Sequence, residues 1–266
     1  MIRSLLKKVW LMALAVGPGI FCIGYTIGTG SVTSMAKAGS DFGMQLLWVL
    51  ALSVLFAWVL MEAYGRYAVV TGDTSVHSYR LKFKYGKLLA IIVIIGVVTG
   101  QWNSLTGILG LSANALYELT HMFFPGTPPE NYWAVLGIAI FLILLLYGLL
   151  LVGNYSFFEK ILIVFVTLMG VSFLISMFIV FPGPGEIVAG LKPTIPSIPG
   201  GKLMVAAFVG TTMAAPTFVV RPLLMKGKGW GNENTREQSK DALISAILMF
   251  LISASVMITA TGALFH

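Results

Sequence analysis

Two short runs of glycine and hydroxyl residues hold the chemistry that this sequence offers. The first is Gly24-Tyr25-Thr26-Ile27-Gly28-Thr29-Gly30-Ser31, set between apolar residues 9–23 and 32–38. Each glycine weakens a helix by roughly 1 kcal/mol relative to alanine, and neighbouring hydroxyls satisfy the backbone groups that an opened helix frees. The second is Val209-Gly210-Thr211-Thr212-Met213-Ala214-Ala215-Pro216-Thr217, again inside an apolar stretch. Pro216 cannot donate a backbone N–H and clashes with the preceding turn, which predicts a kink or a break.

A broken helix exposes bare carbonyls with partial negative charge at one end and N–H groups at the other. Carbonyls suit a cation; the amides near Ser31 and Thr217 suit an anion or a water. Thr26, Gly28, Thr29 and Ser31 from the first run, and Gly210, Thr211, Thr212 and Met213 from the second, are the candidate binding residues. Their hydroxyl and carbonyl oxygens favour hard ions, and the Met213 thioether favours transition metals. The plainer alternative is a pair of glycine-kinked packing helices with Met213 as core.

The elements that position these runs are membrane helices. Of the 266 residues, 58% are hydrophobic and 10% charged, and the mean hydropathy is +0.92. No soluble domain of this size hides so much apolar surface. A net charge of +7 would suggest nucleic acid in a soluble chain; here the basic residues flank apolar spans, which points to topology and anionic lipid and away from nucleic acid. Cys22 is the single cysteine, so no intrachain disulfide forms.

Seven spans are expected: residues 8–38, 44–70, 88–119, 132–152, 157–181, 202–225 and 238–266, with the first and sixth interrupted. The positive, then apolar, N-terminal stretch is read as an uncleaved first helix. A basic loop with Arg80, Lys82, Lys84 and Lys87 is expected after the second span, and a proline- and glycine-rich extramembrane connection over 183–201. With the N-terminus in the cytoplasm, 14 of the 17 lysines and arginines lie inside, leaving Lys37, Lys192 and Lys202 outside; this skew sets the orientation in a plasma or inner membrane. Two broken spans five helices apart are what an inverted repeat predicts, with 1–182 as a first repeat and 202–266 opening a second.

On the third span Asn103, Gly107, Gly110 and Asn114 recur at helical spacing, predicting a small, polar stripe that faces protein. It serves either close packing or an ion route. Glu62 and Arg66 are spaced for an i, i+4 contact, and Arg221 is expected to snorkel to the cytoplasmic surface. His77, His121 and His266 lie near span ends without a second ligand at metal spacing, and no phosphate loop or nucleophile elbow is present, so no enzyme is expected.

The sequence resembles the Nramp family of divalent-metal transporters. The likeness runs through Gly17-Pro18-Gly19, Ala38-Gly39-Ser40-Asp41-Phe42-Gly43, Leu46-Leu47-Trp48, Val70-Thr71-Gly72 and the opening of the seventh span at Asp241. The resemblance implies an all-α, leucine-transporter-type fold of two inverted five-helix repeats and proton-linked uptake of manganese or iron, with the metal as substrate and no cofactor. It also implies that this chain is short: a fragment, a split half whose missing helices a second chain supplies, or a degenerate relative, with a non-transporting fragment or subunit as the alternative to a transporter.

The family's Asp-Pro-Gly-Asn motif aligns with Gly28-Thr29-Gly30-Ser31, so both side-chain ligands are replaced. Gly210 and Met213 keep the family's alanine-to-methionine spacing, but Ala214 and Ala215 stand where proline and histidine would follow. Neutral Ser104 and Gly107 lie near the family's acidic pair on the third span. A bare dication at mid-membrane needs a nearby negative charge, because an unpaired buried ion costs several kcal/mol. The expectation is an ion that keeps most of its water, such as magnesium, or a different, uncharged or zwitterionic solute.

Overall fold

A computed structural model of the chain describes residues 24, 27–124, 126, 128, 131–151, 155–197 and 199–265. Regular structure among them is entirely helical: α1 (Thr29–Phe42), α2 (Leu47–Thr71), α3 (Ser75–Lys82), α4 (Gly86–Phe123), α5 (Tyr132–Leu151), α6 (Tyr155–Ile179), α7 (Pro184–Ala189), α8 (Gly201–Thr212), α9 (Ala215–Gly227) and α10 (Thr235–Leu264), with 3-10 turns at Gly43–Leu46 and Asn232–Asn234.

Four stretches are long and apolar enough to cross a bilayer: Gly30–Thr71, Gly86–Phe123, Tyr132–Leu151 and Asn232–Leu264; Ile163–Ile179 and Gly201–Thr212 are shorter apolar helices. Among the described residues helices fall within all seven expected stretches, and the four named first are long and apolar enough to span. Residues 1–23, the first half of the first span, lie outside the described residues. The stretch Gly30–Thr71 would be about 60 Å long as one helix, twice a bilayer's apolar thickness. Gly43, at φ 56°, divides it, donating its N–H to Gly39 O at the end of α1.

The packing centre is α10, which lies against α1, α2 and α6. Close approach explains Gly39 on α1: a Cβ there would fall 2.5 Å from Met257 O and 2.8 Å from Ala260 Cβ of α10. Small residues at such crossings let membrane helices touch through their backbones. Around this contact Met35, Leu46, Leu50, Met61, Phe208, Met249 and Met257 form one buried apolar cluster. By contrast α5 buries none of its side chains, and with α4 it presents a broad apolar surface such as lipid requires.

One expectation is corrected here and another extended. Arg80 and Lys82 lie in a helix, α3, instead of in a loop; the Thr74 side chain caps it by accepting from His77 N at 3.3 Å. The connection over 183–201 carries a short helix of its own, α7, and the Trp48 Nε1 at the head of α2 donates to Thr194 O at 2.8 Å. That bond ties the connection to the bundle.

Candidate functional site

The second interruption is formed, and α1 begins at the first; of the segment before it, residues 1–23, 25 and 26 lie outside the described residues. Gly28 is extended (φ −91°, ψ −176°) and caps α1. Its carbonyl accepts from Val32 N at 3.0 Å and from Ser31 Oγ at 3.0 Å. In the second break α8 stops at Thr212. Met213 turns out of the helix at ψ 44°, donating its N–H to Val209 O at 2.9 Å. Ala214 is extended at ψ 123°, and α9 restarts at Ala215 with Pro216 in its first turn, where a missing N–H costs nothing.

The breaks meet. A Cβ built on Gly30 would lie 3.4 Å from Thr211 Cγ2, and α1 packs along α8. The amide end of α1 therefore stands beside the carbonyl end of α8, a positive helix end next to a negative one.

The individual candidates are distributed as follows. Ser31 and Thr212 are buried, at 3% and 2% exposure. Thr211 is half-buried, and its hydroxyl donates to Ala207 O at 2.8 Å, leaving the oxygen's lone pairs available. Gly210 is exposed, with nothing within 4 Å of a Cβ placed there, so it faces open space. Met213 packs on the main core and lines a cavity of about 420 Å³ with Trp48, Phe56, Val205 and Val209; its thioether belongs to the α2–α8 seam. Thr26 lies outside the described residues, as do the side chains of Thr29 and Thr217. Among the described residues no three His, Cys, Asp or Glu side chains cluster as a metal site.

The stripe on the third span stands open in this chain. Asn103, Gly107 and Asn114 on α4 are exposed, and a Cβ on Gly110 would meet nothing within 4 Å. The described neighbours of α4, chiefly α5 and α3, cover other faces of it.

Beside the second break lies a polar network that the sequence reading missed. Arg221 is wholly buried, at 0% exposure, and does not snorkel. Its Nη2 donates to Asp241 Oδ2 at 2.8 Å and to Gln238 O at 3.4 Å. Gln238 Nε2 donates onward to Glu62 O at 3.0 Å, Ser239 Oγ to Glu62 Oε1 at 2.7 Å, and Arg66 Nη2 to the same oxygen at 2.7 Å. The expected Glu62–Arg66 pair is thus one end of a chain joining α2, α9 and α10. A guanidinium keeps its charge when buried, and Asp241 supplies the partner that offsets its desolvation. The signal was there: one arginine and one aspartate at the same end of adjacent apolar helices.

Comparison with known proteins follows the same lines. The family model described as natural resistance-associated macrophage protein-like, Nramp, matches residues 19–266. The chain belongs to the Nramp family. It is 24% identical to the divalent metal cation transporter MntH 1 of Pseudomonas aeruginosa, over 96% of this chain and 57% of that protein. To the divalent metal cation transporter MntH of Brucella suis it is 26% identical, over 94% and 54%. The crystal structure of the Eremococcus coleocola manganese transporter, in complex with an aromatic bis-isothiourea substituted compound, superposes with a TM-score of 0.77 at 18% identity. It matches 97% of this chain and 53% of that one. This Nramp-family chain is therefore an all-α integral membrane protein with the leucine-transporter-type fold, and it spans just over half the length of the curated relatives it matches.

Proposed function

We propose that this Nramp-family chain forms the substrate-binding part of a secondary transporter for divalent metal ions, with the ion held between the two helix breaks. The observation that carries this reading is the approach of Gly30 to Thr211, which sets the carbonyl end of α8 beside the start of α1. The relatives' own names, divalent metal cation transporters, support the substrate class. Candidate ligands are the oxygens of residues 26–31 and 210–213.

The site's neutrality sets the specificity. With no carboxylate or imidazole among the candidates, removing all water from manganese or iron is not compensated. A partly hydrated ion, bound through its water by carbonyls and hydroxyls, is favoured, and magnesium behaves in this way. The same neutrality favours a second reading, transport of an uncharged or zwitterionic solute.

Residues 1–182 act as a first repeat and 202–266 begin a second, joined by 183–201. Further helices, from a continuation or from a second chain, cover the polar stripe at Asn103, Gly107 and Asn114. The N-terminus lies in the cytoplasm, by the excess of lysine and arginine on that side, and the substrate crosses without chemical change.

Uptake into proteoliposomes carrying the chain together with its second-repeat helices tests this reading. Magnesium entering faster than manganese supports it, as does a reversal of that order by Gly28→Asp. Indifference to magnesium, manganese and cobalt, with stabilisation by an organic solute instead, would replace the metal reading by the solute one.

A further inference from the structure

A second cavity, far in the chain from the helix breaks, lies between the end of α2 and α3. It has a volume of about 290 Å³ and is lined by Tyr64, Tyr67, Ser75, Tyr79, Lys82 and Phe83, among others. Its walls are mainly aromatic faces. Tyr64 and Tyr79 share a hydrogen bond of 2.9 Å, and Tyr67 pairs with the Ser78 hydroxyl. Lys82 Nζ donates to Tyr67 OH at 3.4 Å and stands 5.4 Å from the centre of that ring. A lysine ammonium has three protons, so this contact leaves donors for a ligand. Ser75 also lines the cavity, is 4% exposed and has a buried hydroxyl with no hydrogen-bond partner among the described residues. Burial, and then the bond to Tyr64, push the Tyr79 phenol up to about 12, so it keeps its proton at neutral pH.

The surroundings say what fills such a space. From Arg80 to Lys87 the chain alternates, with Arg80, Lys82, Lys84 and Lys87 interleaved by Leu81, Phe83 and Tyr85. The three apolar residues are 64%, 58% and 70% exposed. Phe83 is extended (φ −101°, ψ 146°) and ends α3. This segment joins two apolar helices long enough to cross a bilayer, so it lies at the level of a membrane surface. Basic residues beside aromatic ones at that depth attract anionic headgroups.

We propose that the α2–α3 cavity binds one anionic phospholipid, with its phosphate at Lys82 and the tyrosine hydroxyls and its acyl chains along the exposed apolar face that begins at Leu88. Free phosphate shares the charge but would leave the aromatic walls uncovered, and a zwitterionic lipid lacks the net charge that the four basic residues match.

Thermal unfolding of the purified full chain in detergent, titrated with phosphatidylglycerol, phosphatidylcholine or inorganic phosphate, tests the site. Phosphatidylglycerol alone should raise Tm. Lys82→Ala, at an exposed position, should weaken its apparent affinity about five-fold, the share of one lysine at a membrane surface. Lys192→Ala, outside this segment, should not change it. Equal shifts with phosphatidylcholine, a full shift with inorganic phosphate, or unchanged affinity in Lys82→Ala would each overturn the proposal.

Discussion

Gly30 of α1 lies beside Thr211 at the end of α8, with 3.4 Å between a Cβ placed on the glycine and the threonine Cγ2. A methyl group fits at that distance; a larger side chain must move Thr211 or turn away from it. Gly30→Ala is therefore expected to fold and to keep its transport rate. Gly30→Leu should push the two breaks apart, cost about 1–3 kcal/mol as overpacking does, and abolish uptake. Parallel melting and flux measurements on the two variants distinguish a filled site from a general loss of fold.

Arg221 and Asp241 make a second test. Removing one partner of a buried pair strands the other charge, so Arg221→Met is expected to lose roughly 3–5 kcal/mol. The double variant Arg221→Met with Asp241→Leu should recover most of that loss, because apolar replacements of similar volume do without the desolvation. Denaturation of the three proteins in the same detergent decides it; a double variant no better than the single would contradict the pairing.

A carboxylate returned to the first break should change the metal. Gly28 sits at the N-cap of α1 with negative φ, a position that aspartate fills well, at a gain of a few tenths of a kcal/mol over glycine. Gly28→Asp is expected to bind manganese at least about tenfold more tightly, the equivalent of ~1.4 kcal/mol, and to show it by titration calorimetry.

Gly39 tests the packing that holds α1 in place. A Cβ there would press on backbone atoms, Met257 O at 2.5 Å and Thr261 N at 3.0 Å, which cannot swing aside as a side chain can. Gly39→Ala is expected to destabilise the chain by about 1–3 kcal/mol, read as a lowered Tm.

How far these features were legible in the sequence depends on how local their causes are. Gly28 and the Thr212–Ala214 break are written in glycine, threonine and proline at the breaks themselves, so both could be read directly. The helix from Tyr132 to Leu151 is delimited by its own hydropathy. The short helix α3 was not, because its polar, basic residues look like a loop; the Thr74 cap three residues before His77 was its only local mark. The Arg221–Asp241 pair joins residues on different helices, and no periodicity within one segment brings them together. The stripe at Asn103, Gly107 and Asn114 was read correctly as small and polar, but which face is covered depends on neighbours that spacing alone does not reveal.

The account rests on a metal ion lodging between the two breaks, and thiol protection tests that most directly. In a Cys22→Ser background, a cysteine at the exposed position 210 should react with a water-soluble thiol reagent, and magnesium should slow that reaction while leaving a cysteine at position 103 unaffected. Reaction at 210 that proceeds at the same rate with and without magnesium or manganese would contradict it.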